Sequence, residues 1–346
     1  MEFSEKILTL SPGKQKGLAA VADHRGTIAA LAIDQRSALR SLFSKVSGQP
    51  PESVPAELMI RFKEAVSRIL TPHASAILLD PEFGLPAASQ RAKNAGLLLA
   101  YEKTGYDKSV RGRLPSLLDG YSVERLRQEG ADCIKVLLYY SPFSTAAINS
   151  VKQDWVERIG AECAAGDAPF FLELVSYHDD MDEKAAEFAL IKPDSVTRSI
   201  EEFCKPRYRV DVLKVGVPVN MAFVESPTTA NSAVLYSRKE AKTLFLRASE
   251  AASLPFIYLS EGVSNETFAF ALELAAEAGV RFSGVLCGRA TWKDGVAVFV
   301  QRGFAALEDW LQVHGVRNIQ NVNAGLAAAH PWFEKISTAP FVPGKD

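Results

Sequence analysis

The chain is short of the residues that build metal centres and disulfide frameworks. Its five histidines, His24, His73, His178, His314 and His330, are scattered, and its four cysteines, Cys133, Cys163, Cys204 and Cys287, show no CxxC spacing. Structural zinc sites and redox motifs need such clustering, so no metal and no cofactor is expected. Cys133, Cys163 and Cys287 sit among apolar or small residues, the usual setting of buried free thiols, which fits a reducing, cytoplasmic compartment. Excess charge is missing too: 39 Lys plus Arg against 41 Asp plus Glu leave a formal charge of −2. That balance offers no general attraction to nucleic acid or to a membrane surface, although a small anionic substrate in a local basic pocket stays compatible with it. No apolar run approaches a membrane span, and the opening MEFSEKILTL is too polar for a secretory signal. Linkers, short repeats and low-complexity tracts are absent as well, so residues 1–346 read as one domain, with 47% hydrophobic residues to fill a large core.

What is present is alternation. Short apolar runs recur at residues 27–33, 74–79, 96–101, 132–139, 170–175, 211–217, 256–259 and 281–286. Near-continuous apolar character marks strands buried on both faces, as in a parallel sheet covered by helices. Segments 55–70, 122–130, 237–253, 264–279 and 294–314 carry helical spacing, several opening on a serine and closing near a glycine. Eight strands alternating with helices predict an α/β fold, a (β/α)8 TIM barrel with a short N-terminal helix and a C-terminal helical extension. A dinucleotide-binding fold would need a glycine-rich turn after the first strand, and AIDQRSAL has none. The stretches around 47–54 and 105–118 read as surface excursions, and the terminal PFVPGKD as loose.

In such a barrel, catalytic side chains project from the C-terminal strand ends. Strand one ends in Asp34-Gln35-Arg36 and strand two in Asp80-Pro81-Glu82, while Lys135, Glu173 and Lys214 interrupt strands four, five and six. A lone charge in an apolar strand is unfavourable unless it is paired or neutralised. Each of the three, taken singly, is as readily a structural ion pair as a functional group. On adjacent strands, they point to one pocket. A lysine beside a second cation in an apolar site becomes a nucleophilic amine, so Lys135 is expected to activate Lys214, with Glu173 moving protons. Strand seven runs into Ser260-Glu261-Gly262 before a helix, and strand eight runs from Leu286 into Gly288-Arg289. Small residues with free amides after these two strands, with an arginine, suit a phosphate.

The segments LAIDQRSAL, LLLDPEFGLPAA, GLLLAYEKTGYD, DVLKVGVPVNM and GVLCGRATW resemble those of class I tagatose 1,6-bisphosphate aldolases, in register from about Lys16 to Trp332. The resemblance implies a metal-independent aldolase with a Schiff-base lysine at Lys214 and a catalytic glutamate at Glu173. It places Asp34, Gln35 and Lys135 in the pocket, and Ser260, Gly262, Gly288 and Arg289 at a phosphate, with Leu286 lining the site. Arg36 is a second phosphate contact on this reading. The implied partner is a phosphorylated ketose: tagatose 1,6-bisphosphate, with fructose 1,6-bisphosphate as a second substrate, cleaved to dihydroxyacetone phosphate and glyceraldehyde 3-phosphate. The chain departs from the family pattern in four places. Gly216 stands where a glutamate is usual, Glu261 where alanine is common, Ser37 where glycine follows DQR, and Ser141 near a usual acidic position. These departures leave open the same chemistry on a sulfonated ketose phosphate, or a barrel that senses a sugar phosphate. A metal-dependent aldolase would need a histidine cluster, and His178-Asp179-Asp180 reads better as a solvated loop. Association into a homo-oligomer is compatible with the sequence and not fixed by it.

Overall fold

The computed structural model describes residues 8–226 and 234–337; the terminal PFVPGKD lies outside them. Eight parallel strands close into a barrel in chain order. They are β1 (Ile28–Ala32), β2 (Ala76–Leu79), β3 (Gly96–Ala100), β4 (Cys133–Tyr140), β5 (Phe170–Ser176), β6 (Val212–Val215), β7 (Phe256–Tyr258) and β8 (Gly284–Cys287). Closure is made by β1 against β8, with Ile28 opposite Gly284 and Leu31 opposite Cys287. Each strand coincides with one of the eight apolar runs, β4, β5 and β8 continuing one residue past its end, and the (β/α)8 expectation holds.

Around the barrel run α1 (Pro12–Val21), α2 (Ser37–Ser47), α3 (Ala56–Leu70), α4 (Val123–Gln128), α5 (Ala146–Ala165), α6 (Ala186–Phe203), α7 (Arg238–Glu250) and α8 (Asn265–Glu277). The serine starts are genuine caps: Ser122 accepts from the amide of Arg125, Ser264 from that of Thr267, and Ser237 forms a reciprocal capping box with Glu240. On α3, Met59, Phe62, Val66 and Ile69 bury one stripe. The helix expected over 294–314 is divided. Gly303 takes φ +85°, which a helix interior does not accept, and separates α9 (Gly295–Arg302) from α10 (Phe304–Trp310). A π-helical turn, Leu311–Gly315, then leads into α11 (Val316–Ala324). No helix of the described residues is long and apolar enough to cross a membrane.

The barrel interior is filled from one end only. Ile28, Ala30, Leu98, Cys133, Phe171, Val212, Ile257 and Leu286 form an inner cluster with Leu18 and Val21 of α1 and with Trp332. Helix α1 therefore plugs the N-terminal mouth. It packs so closely that a Cβ on Gly17 would stand 2.5 Å from the carbonyl oxygen of Asp132, and Lys14 pairs with Asp211 at 2.7 Å beneath the strands. The C-terminal mouth stays open.

Candidate active site

Side chains of a strand alternate in direction, so every second residue shares a face. Ala30 and Ala32 of β1, Cys133 of β4, Phe171 of β5 and Val212 of β6 face the interior. Two-residue steps from them carry Asp34, Lys135, Glu173 and Lys214 inward as well, one layer nearer the open mouth. Parallel register sets Glu173 directly opposite Lys214.

The charged tips meet. Glu173 Oε2 lies 2.8 Å from Lys214 Nζ and 2.8 Å from Lys135 Nζ. Lys135 Nζ also donates to Asp34 Oδ2 at 2.7 Å and to Glu102 Oε1 at 2.8 Å. All five residues are buried, Lys135 completely and Lys214 to 3% exposure. Burial alone would drive Lys135 neutral, but Asp34, Glu102 and Glu173 outweigh it and raise its pKa well above the ordinary value. Burial likewise pushes the carboxyls up. Lys135 and Lys214 more than offset this for Asp34 and Glu173, which both sit below their usual range. For Glu102, burial prevails and the pKa rises.

This corrects the expected role of Lys135. With three carboxylates around it, Lys135 is not an unmatched cation beside Lys214; it is the protonated hub that fixes the carboxylates. Glu102, missed in the sequence, belongs to this cluster. Its signal was legible, since it lies two residues past Ala100 and so shares the inward phase of Leu98 and Ala100.

Above the cluster opens a cavity of about 600 Å³, lined among others by Asp34, Gln35, Glu102, Arg113, Tyr139, Glu173, Lys192, Glu261 and Arg289. Asp34 Oδ1, Gln35 Oε1 and Glu102 Oε2 are buried acceptors without a hydrogen-bond donor in the structure, a set suited to the hydroxyls of a polyol. The β1 exit is held in place from behind. Lys63 of α3, fully buried, donates to the carbonyls of Ile33 at 2.7 Å and Gln35 at 3.0 Å and pairs with buried Asp80. Asp80, expected at a strand mouth, thus serves the scaffold, and Glu82 pairs with Arg36.

Arg36 does not stand free for a phosphate. One guanidinium nitrogen pairs with Glu82 at 2.9 Å, another donates to the Glu102 carbonyl at 2.8 Å, and the residue is 4% exposed. Another arginine lines the cavity as well. Arg113, in the loop after β3, lies over the rings of Tyr177, Tyr106 and Tyr139 at 4.6, 5.0 and 5.3 Å and pairs with Glu183 at 2.5 Å. Its backbone is left-handed, φ +47°, a strained state for a non-glycine residue. It is held from the loop after β5: the Gly112 amide donates to Asp179, Arg111 pairs with Asp180, and Tyr177 donates to the Gly112 carbonyl. The His178-Asp179-Asp180 segment therefore anchors a loop. Among the described residues, no three His, Cys, Asp or Glu side chains are grouped to hold a metal ion.

At the other side, Ser260 is 7% exposed, and Gly262 lies so close under Arg289 that a Cβ would stand 2.7 Å from its Cζ. Leu286 is in the inner cluster below the cavity, not on its wall. Gly288 is a packing glycine, its Cβ position being 2.6 Å from the Ala32 carbonyl oxygen. Two of the departures meet in space: Glu261 Oε1 lies 2.3 Å from where a Cβ of Gly216 would be, and Glu261 Oε2 pairs with Lys192 Nζ at 2.6 Å. Lys192, on α6, carried no signal in the sequence. Ser37 is exposed and accepts from Thr104 at 3.2 Å, while Ser141 is buried, its carbonyl accepting from Asn149 at 3.1 Å.

A family model described as DeoC/LacD family aldolase matches residues 28–294. Tagatose 1,6-diphosphate aldolase 2 of Enterococcus faecalis is 51% identical over 332 residues, which cover 95% of this chain and 98% of the relative. Tagatose 1,6-diphosphate aldolase of Staphylococcus haemolyticus is 46% identical, over 95% of this chain and 100% of its own length. Among solved structures, a fructose-bisphosphate aldolase from Plasmodium falciparum superposes with a TM-score of 0.65 at 14% identity, covering 98% of this chain and 100% of that one, a likeness of fold. By the extent of the family match and the identity of its relatives, the chain belongs to the DeoC/LacD family of aldolases.

Proposed function

We propose that the chain is a class I aldolase that cleaves tagatose 1,6-bisphosphate, and fructose 1,6-bisphosphate as a second substrate, through a Schiff base on Lys214. The observation that carries this reading is the 2.8 Å contact between Lys214 Nζ and Glu173, a residue of the cavity lining. The relatives' names supply the ketose.

Lys214 first gives a proton to Glu173, which is a carboxylate at neutral pH because two ammonium groups hold its pKa down. The free amine then adds to the C2 carbonyl carbon. Glu173 returns its proton to the departing carbinolamine oxygen while Lys135, still protonated, donates a hydrogen bond to it, and loss of water leaves an iminium ion and a carboxylate again at Glu173. The electrons of the C3–C4 bond move into this iminium and form an enamine, while the C4 hydroxyl proton passes to Glu173. Glyceraldehyde 3-phosphate leaves. Protonation at C3 and addition of water to the iminium then release dihydroxyacetone phosphate and restore the lysine. Asp34, Gln35 and Glu102 orient the hydroxyls, since their unmatched acceptors line the cavity. The turn Ser260–Gly262 with Arg289 takes the phosphate next to the reacting ketone, after the two strands that follow that of Lys214 around the barrel. Arg113, rather than Arg36, takes the distal phosphate.

Borohydride added with tagatose 1,6-bisphosphate is expected to leave a stable adduct on the peptide carrying Lys214. Cleavage activity retained by Lys214→Ala would refute the mechanism. A panel setting the two bisphosphates against a sulfonated ketose phosphate ranks the distal anion.

A further inference from the structure

The turn after β7 has two successive residues in the left-handed region, Glu261 at φ +50° and Gly262 at φ +81°. Gly262 adopts it freely, whereas a glutamate there is disfavoured. Three contacts over-determine the turn. The Glu261 carboxylate reaches Lys192 Nζ at 2.6 Å. Lys192 is 4% exposed, and Glu261 is its one carboxylate partner among the described residues. A buried ammonium strongly requires such a partner. The second contact is one of shape: the other carboxylate oxygen fills the space a side chain at residue 216 would take, 2.3 Å from its Cβ position. The third is the Arg289 guanidinium lying on Gly262, 2.7 Å from the corresponding point.

We propose that Glu261 is a positioning residue: its ion pair with Lys192, housed in the room left by Gly216, holds the Ser260–Gly262 backbone in the shape that receives one substrate phosphate. This rests on the reading of that turn as a phosphate site. The pair also answers an electrostatic objection. A bare carboxylate beside a phosphate repels it, but one in contact with an ammonium presents little net charge.

The test is kinetic. Glu261→Ala is expected to raise the KM for tagatose 1,6-bisphosphate and the inhibition constant of inorganic phosphate together, by about tenfold, while kcat falls by less than about threefold. The double variant Glu261→Ala, Gly216→Asp returns a carboxylate to the same space from the β6 side, and is expected to restore both constants to within about threefold. The positioning role is overturned if both constants in Glu261→Ala stay within about twofold of the parent, if kcat falls as much as KM rises, or if the second carboxylate restores nothing. Should Glu261→Ala not fold, Glu261→Gln, which keeps the shape and removes the charge, is read by the same criteria. Arg289→Met separates the two ideas. If it leaves phosphate inhibition unchanged, the turn is not the phosphate site and both fall; if it weakens inhibition and Glu261→Ala does not, only the positioning role falls.

Discussion

Glu173 and Lys214 are direct partners in the β5–β6 ladder, and their charged tips touch at 2.8 Å inside the barrel. Parallel pairing alone brings two neighbouring Cα atoms together on the same face. The contact is thus built into the register, with no loop needed to form it, which suits a proton transfer that tolerates little misplacement.

Replacement of Glu173 by glutamine keeps the size of the side chain and removes its basicity. Turnover is expected to fall by roughly 10²–10⁴-fold, with KM changed far less. Steady-state kinetics on the bisphosphate checks this, and a matched loss in KM would mean that Glu173 acts mainly in binding.

Arg113→Ala removes a guanidinium already oriented by three tyrosine rings. Loss of a charge-assisted contact worth about 1.5–3 kcal/mol corresponds to a KM increase of roughly 10–150-fold. The increase is expected for the bisphosphate and not for the ketose 1-phosphate. Equal effects on both would move the distal phosphate elsewhere.

Lys63→Met leaves Asp80 buried without its ammonium partner and frees the carbonyls of Ile33 and Gln35. Breaking a buried pair on one side costs about 3–5 kcal/mol. Denaturant unfolding should register that loss, and a stability within about 1 kcal/mol of the parent would contradict the scaffold role.

The depressed carboxyls set a pH window. Because the folded pKa values of Asp34 and Glu173 lie below their usual ones, their contribution to stability is complete above about pH 4–5 and is lost as pH falls through the lower folded values. Glu173 also remains a base throughout the neutral range. Titration of stability from pH 7 to pH 3 should therefore show no step near neutrality assignable to either residue, and Asp34→Asn should narrow the acid loss. A variant with an acid transition identical to the parent's would remove Asp34 from this account.

The barrel was legible because its signal is local. Eight apolar runs recur along the chain, and each strand observed coincides with one of them to within one residue at its C-terminal end. The helix boundary at Gly303 was missed because the side-chain spacing of 294–314 continues across a backbone that turns left-handed there. Of the proposed site, Lys135, Glu173 and Lys214 could be found as charges set in apolar strands. Glu102 follows the same phase rule and was overlooked, whereas Arg113 and Lys192 sit in a loop and a helix whose composition marks nothing.

From the sequence alone come the strand order, the charges set in apolar strands and the family resemblance, since these depend on spacing along one chain. Which charges meet, and which merely hold others, was decided by the tertiary structure. Arg36 reads in the sequence as a second phosphate contact and Asp80 as an ionisable group at a strand end, yet they are bound to Glu82, Glu102 and Lys63. Similarly, the empty position at Gly216 and the added carboxylate at Glu261 were separate oddities in sequence and become one feature in space. The reason is physical: the fate of a buried charge depends on its distance to partners brought from remote parts of the chain.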